Sequence, residues 1–344
     1  MMKGLELAKN YYETCARPML HEKYPEYESR IAVGLVGEGS ECFGFDDALS
    51  RDHDFGPGFC LWLEEGDYRE IGSRLQQDYE QLPARMEGLE ARRDNAMTGH
   101  RIGVWETGEF YRHFLGRPGV PESPMDWLRL PDSYLAVATN GQVFRDDLGR
   151  FSRIRRQLLE GRPEDVRIKK MVARATIMAQ AGQYNYPRCV SRGEMVAASL
   201  ALAEFMRHAM EMVYLLNNRY APFYKWMHRG LGEFRTLGEL KGLFANLADA
   251  GANDKTGMGT EPMAGAAKAS GTRDNNNTSG GHGGSRISPQ EKREIIEEIC
   301  GAVAAELNAQ GLTSRTDPFL QVHLDEMMSR ISRPEIRRLH WLVG

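Results

Sequence analysis

Residues 31–36, Ile31-Ala32-Val33-Gly34-Leu35-Val36, form a short, partly β-branched apolar run, the pattern of a buried strand. Ahead of it, residues 5–15 carry apolar positions at helical spacing, and Arg17-Pro18 predicts the end of that helix. A second strand is expected over residues 59–63 and a third over residues 101–105, leading to Glu106. A polar, helix-prone stretch (67–82) separates them, and a helix over 108–115 follows. From Pro121 the rhythm changes to long helical segments, with Trp127, Leu128 and Leu130 as core positions and a helix over about 194–218 stopped by Pro222. Residues 153–174 are locally basic; most of these charges read as a solvated helix face, with one or two left as candidates to reach phosphates. Ser288-Pro289-Gln290-Glu291 is a capping-box pattern, after which Ile295, Ile299, Val303 and Leu307 repeat at helical spacing up to Gly311. A last helical unit is expected over 319–328 and 336–341. The pattern predicts an α/β domain over 1–120, with a small mixed sheet and flanking helices, followed by an all-α helical domain over 121–344.

Residues 251–286 interrupt that helical domain. They hold Gly, Asn, Ser, Thr and Ala with no Leu, Ile, Val or aromatic residue, so a flexible insertion is expected there. With 344 residues, 41% of them hydrophobic, and a formal charge of −4, the chain can bury a core, and two domains are expected. No stretch approaches the length of a membrane span, and Lys3, Glu6 and Lys9 stand where a signal peptide would be apolar; a cytoplasmic protein is expected. Five scattered cysteines without Cys-x-x-Cys spacing read as free thiols.

The chemistry crowds into residues 37–54, GEGSECFGFDDALSRDHD. Gly37 and Gly39 permit positive φ and a close approach of the backbone to an anion, and Ser40 adds a hydroxyl, which together make a phosphate-binding turn. Further along, Asp52-His53-Asp54 places two carboxylates at i and i+2, on one face of an extended segment, where they can share divalent cations such as Mg²⁺. The spacing excludes a Gly-x-x-x-x-Gly-Lys-Ser/Thr loop, and residues from Asp46 onward lack the glycine and terminal glutamate of an EF-hand.

Strand, Gly-Ser and Asp-x-Asp in that order resemble the signature of the polymerase-β-like nucleotidyltransferase superfamily. The wording GLVGEGSECFGFDDALSRDHDFGP is similar to a bacterial nucleotidyltransferase-like family known as DUF4037, with similarity along most of the chain. One departure is that Gly56-Pro57-Gly58 intervenes between the aspartates and their strand. The resemblance implies a donor nucleoside triphosphate on Gly39 and Ser40, with two Mg²⁺ ions on Asp52 and Asp54. A third carboxylate is also implied, to bind metal or accept the hydroxyl proton, and Glu106 is the candidate, although it can equally cap the helix that follows. By the same resemblance Lys225, among the aromatics of NNRYAPFYKW, neutralises triphosphate charge.

Tyr184, Asn185 and Arg188 lie in a stretch too polar for a core and read as a pocket wall. Glu204, Arg207, His208 and Glu211 fall at i, i+3, i+4 and i+7, giving one charged helix face; it is either an exposed stripe of ion pairs or a cleft-facing one. The face resembles the helical partner domain of small-molecule nucleotidyltransferases, which makes Arg207 and Glu211 candidates for the acceptor site. The expected activity is transfer of a nucleoside monophosphate to a hydroxyl of an unidentified small-molecule or protein acceptor. Net acidity argues against a long nucleic acid. The rival readings are a non-catalytic nucleotide-binding regulatory module, favoured by the displaced acid and by Glu38 and Glu41 beside the turn, and an AMPylating enzyme acting on a partner protein.

Overall fold

The computed structural model describes residues 2–51, 55–92, 99–248 and 287–344. Strands β1 (Ala32–Leu35), β2 (Cys60–Leu63), β5 (Gly103–Glu106) and β6 (Gln142–Arg145) form a mixed sheet in the order β5-β2-β1-β6, and β3 (Arg85–Met86) pairs with β4 (Leu89–Glu90) in a separate ladder. β1 runs antiparallel to both of its neighbours, while β2 and β5 are parallel. The end of β1 therefore lies at the same end of the sheet as the start of β2 and the start of β5.

Side chains alternate across the sheet, as strand geometry dictates. Val33, Leu61, Leu63 and Val104 pack with Tyr11, Tyr12, Leu20, Ile71 and Leu75 from the helices on one face: α1 (Gly4–Tyr11), α2 (Arg17–Lys23) and α3 (Glu65–Glu80). Ala32, Cys60, Trp62 and Trp105 face the other way, toward α4 (Thr107–Leu115) and the helical body. There the Trp62 ring stacks 3.9 Å from that of Phe151. Such two-sided burial explains why the strands read as apolar runs.

The helical body comprises α5 (Pro124–Arg129), α6 (Asp132–Thr139), α7 (Arg150–Glu160), α8 (Glu164–Ile177), α9 (Tyr186–Ser191), α10 (Met195–Leu216), α11 (Tyr224–Leu231), α12 (Lys241–Leu247), α13 (Pro289–Ala309), α14 (Leu324–Ser329) and α15 (Pro334–Arg337). Ser288 caps α13 in a full capping box with Glu291, as the local pattern predicts. The insertion expected over 251–286 lies outside the described residues. Among the described residues no helix is long and apolar enough to cross a membrane.

Three expectations are corrected. Pro18 does not end the first helix. A π-helical turn over Tyr12–Ala16 leads straight into α2, whose first turn holds Pro18, so the missing proline N–H falls where no helical partner is needed. The sheet also does not close before residue 120, because β6 comes from beyond α6 and pairs with β1 at its free edge. That edge demands Gly34, where an added Cβ would sit 2.5 Å from the Gln142 carbonyl oxygen.

The third correction concerns the basic stretch 153–174, which is not all solvated. Lys169 and Lys170 are 0% and 2% exposed. Lys169 donates to the carbonyls of His340 and Trp341, and Lys170 to the Leu130 carbonyl and the Asp132 carboxylate. Arg162 reaches the second oxygen of Asp132 at 3.2 Å. These cations are satisfied individually rather than left wet.

Candidate phosphate-binding cleft

Beyond β1 the chain makes the turn that its glycines require. Gly37 and Gly39 have φ of +134° and +141°, a region that L side chains rarely adopt. A Cβ at Gly39 would also lie 2.5 Å from a Glu41 carboxylate oxygen. Asn140, at the end of α6, clamps the turn: it accepts from the Gly37 N–H at 2.9 Å and donates to the Gly37 carbonyl at 2.8 Å. The backbone N–H groups of Gly39 and Ser40 donate to no backbone carbonyl among the described residues. Unspent donors in a glycine turn form a concavity suited to an anion.

The turn opens onto a cleft of about 380 Å³, whose walls include Gly39, Ser40, Arg92, Arg101, Lys225 and Trp226. Three sequence-predicted residues, Gly39, Ser40 and Lys225, are thus brought together from positions far apart in the chain. Arg92 and Arg101 were missed by sequence reasoning. Arg101 enters because it lies two residues before the start of β5, the end of that strand nearest the turn, and only the register reveals this. The same cleft takes in Asp47, Leu49 and Ser50, and Asp52 and Asp54, which follow in sequence, lie outside the described residues.

The charges are partly pre-paired. Arg92 donates to the buried Glu41 carboxylate; burial opposes its charge, but Glu41 and Cys42 more than offset this, so its pKa is raised. Arg101 pairs with Glu38 at 2.9 Å. Asp47 pairs with Arg229 of α11 at 3.0 Å and accepts from the N–H groups of Leu49 and Ser50. The Arg229 guanidinium, then these donors, hold the Asp47 carboxyl below the usual range. Lys225 is exposed and has no carboxylate partner among the described residues; its ammonium lies 5.3 Å from the Trp226 ring centre.

Glu106 does not enter this cleft. It pairs with Leu63 at the end of β5, three residues past Gly103 and so roughly 10 Å along the strand from the turn's end of the sheet. Both its oxygens accept from the start of α4, at 2.7 Å from the N–H groups of Gly108 and of Glu109. Its role here is the helix cap. Asp46 is buried and accepts from the N–H of Gly4 at the start of α1. Among the described residues no group of three His, Cys, Asp or Glu side chains is arranged to hold a metal ion.

The candidate acceptor residues separate into two places. Arg207 and Glu211 line a second cavity of about 320 Å³ together with Asp132, Ser133, Arg174 and Tyr224. Glu211 bonds Arg174 at 2.8 Å and lies 3.2 Å from His208, while Arg207 bonds Glu204 at 2.8 Å. The charged face therefore forms internal ion pairs and also faces a cavity. Tyr184, Asn185 and Arg188 line neither cavity. They belong to a π-helical stretch (Met178–Asn185) and α9, with the Arg188 guanidinium 4.8 Å over the Tyr184 ring. Nearby Gln183 is spent in tying this stretch to Glu297, the Pro318 carbonyl and the Leu320 N–H.

Residues 127–227 match a family model described as "Domain of unknown function (DUF4037)", a narrower span than the resemblance along most of the chain. No curated protein matches the chain. A solved structure, that of a nucleotidyltransferase-like protein from Exiguobacterium sibiricum 255-15, is 10% identical, with 93% of this chain and 81% of that one covered at a TM-score of 0.36. The segment that matches the DUF4037 model, 127–227, is the one that supplies Lys225 and Trp226 to the cleft.

Proposed function

We propose that the chain binds a nucleoside triphosphate in this cleft and transfers its nucleoside monophosphate to a hydroxyl of an acceptor. The observation that carries the reading is the convergence of a glycine turn with unspent N–H donors, Arg92, Arg101 and Lys225 on one cavity whose wall runs to Ser50, close in sequence to Asp52 and Asp54. In this reading the Gly39-Ser40 turn and Lys225 hold the outer phosphates, and the two arginines, fixed by Glu41 and Glu38, present the remaining N–H donors. The acceptor oxygen bonds to the α-phosphorus as the bond to the bridging oxygen breaks, pyrophosphate leaves, and the hydroxyl proton passes to a carboxylate or to solvent. Mg²⁺, which the described residues do not hold by themselves, would be the charge of Asp52 and Asp54, where it offsets triphosphate charge and lowers the pKa of the attacking hydroxyl.

Asp47 takes the place of Glu106 as the candidate third acid, being a cleft-lining carboxylate with an exposed edge. Calorimetry with Mg-ATP on Asp52→Asn and Asp54→Asn tests the metal assignment, which fails if both bind as tightly as the parent protein. Incubation of the pure protein with each labelled nucleoside triphosphate, Mg²⁺ and cell extract tests the transfer. A labelled small molecule or a labelled protein supports it and tells the acceptor classes apart. Binding without transfer favours the non-catalytic reading, for which the specific observation is the commitment of Glu106 to α4.

A further inference from the structure

On the far side of the short turn that carries Glu41 lies a groove of about 370 Å³. Five rings line it: Phe43 and Phe45 from the turn, and Tyr214, Tyr220 and Phe234 from the helical body. Phe43 and Phe45 are nearly parallel, 14° apart with centres at 6.1 Å, and Tyr214 meets Phe234 edge-on at 4.8 Å. Phe43, Tyr220 and Phe234 each stay partly exposed. Aromatic surface left wet around a concavity forgoes stabilisation that a ligand covering it recovers.

The walls offer ring surface rather than hydroxyls. The Tyr214 hydroxyl donates to the Met227 carbonyl and the Tyr220 hydroxyl to the Leu158 carbonyl. Thr139 and Asn140 also line it, but the Thr139 hydroxyl donates to the Leu135 carbonyl and the Asn140 amide is bonded to Gly37, whereas Arg219 and Glu233 are exposed and enter no ion pair among the described residues. One free cation and one free carboxylate beside five rings suit an uncharged ligand whose edge carries both an acceptor and a donor.

The groove shares its wall with the phosphate cleft. Glu41 faces the cleft while Cys42 and Phe43, next in sequence, face the groove. Phe45 stands between them, its ring 5.8 Å from that of Trp226 in the cleft and close enough to α11 that a Cβ at Gly230 would lie 3.3 Å from it. We propose that this groove binds a planar, uncharged aromatic or heteroaromatic ring with a donor and an acceptor on its edge, beside the phosphate site. Its part in transfer rests on the reading of the cleft given above; the binding itself does not. Two sources supply such a ring, the base of the donor nucleotide and a ring-bearing acceptor.

The test uses the full chain with Mg²⁺ and three probes: inorganic triphosphate, adenosine (with ATP alongside) and 2-naphthol, titrated by calorimetry and by saturation-transfer NMR. Two rim variants, Glu233→Trp to block the groove and Arg219→Ala to remove a donor, are both at exposed positions, and circular dichroism verifies their fold. The expected result is a loss of at least about tenfold in affinity for a ring probe in Glu233→Trp, a smaller loss in Arg219→Ala, and unchanged triphosphate binding in both. Loss for adenosine and ATP identifies the ring as the base, and loss for 2-naphthol alone identifies it as the acceptor's. If neither ring probe binds the parent protein, or both bind the folded variants as well as the parent, the proposal is overturned. Triphosphate failing to bind the parent while a ring probe shows the groove-dependent loss would remove the phosphate reading and leave the groove standing.

Discussion

Lys225 differs from the other cleft cations in what it touches. Arg92 and Arg101 each carry a carboxylate partner, whereas Lys225 has none among the described residues and lies beside the Trp226 ring. A charged hydrogen bond to a phosphate is worth about 1.5–3 kcal/mol. Lys225→Ala is therefore expected to weaken Mg-ATP binding about 10- to 100-fold by calorimetry while leaving the melting temperature within a degree or two, because the side chain is exposed. Lys169 is the opposite case, a buried ammonium held, among the described residues, by two carbonyls, with burial pushing its pKa down to about 8. The folded chain thus binds this proton less tightly than the unfolded chain does. Between pH 8 and the ordinary lysine range the unfolded chain keeps the proton and the folded one sheds it, so this contribution to stability rises with pH across that window. Thermal melts at pH 7.5 and 9.5 are expected to show a gain for the parent protein relative to Lys169→Met; parallel curves would contradict it. Neither lysine's environment is readable from sequence: in a run with Arg153, Arg155, Arg156 and Arg162, charge alone gives no sign that Lys169 and Lys170 point inward.

At the scale of elements, the pattern located β1, β2 and β5 to within two residues and the cap of α13 to the residue, because each rests on neighbours in sequence. The functions of two flanking residues were decided by distant partners instead. Glu106 stands at a strand end where either an active-site acid or a helix cap fits the local sequence, and the parallel pairing of β2 with β5 sends it to the end of the sheet away from the turn. Glu106→Ala is expected to cost about 1 kcal/mol through the lost cap, read as a lower melting temperature, with Mg-ATP affinity unchanged. Asn140 escaped sequence reasoning altogether, since nothing local marks an asparagine after a helix as the clamp of a turn about a hundred positions earlier. Removing both of its bonds leaves the Gly37 N–H and carbonyl unpaired, at about 1–3 kcal/mol. Asn140→Ala is accordingly expected to lower both the melting temperature and Mg-ATP affinity, whereas an effect on stability alone would mean that the turn keeps its shape unaided.

For the whole molecule, the central relation is between segments far apart in the chain: a glycine turn after the first strand and the first turn of α11 meet across one cleft, tied by Asp47 to Arg229 and by Phe45 to Trp226. The two halves of this relation were visible separately, as a Gly-Ser turn and as a lysine among aromatics, and only the pairing of β6 with β1 and the docking of α11 bring them together. The sheet's reach past residue 120 was hidden for a like reason, since β6 is an edge strand whose residues stay partly exposed and so lack the apolar run of a central strand. The most direct test is a crystal structure of the full chain with Mg²⁺ and a non-hydrolysable ATP analogue at saturating concentration. Triphosphate oxygens are expected on the Gly39 and Ser40 N–H groups, within hydrogen-bond distance of Lys225 and of at least one of Arg92 and Arg101, with metal density at Asp52 and Asp54. An analogue seated elsewhere, or a cleft without triphosphate at saturation, would contradict this.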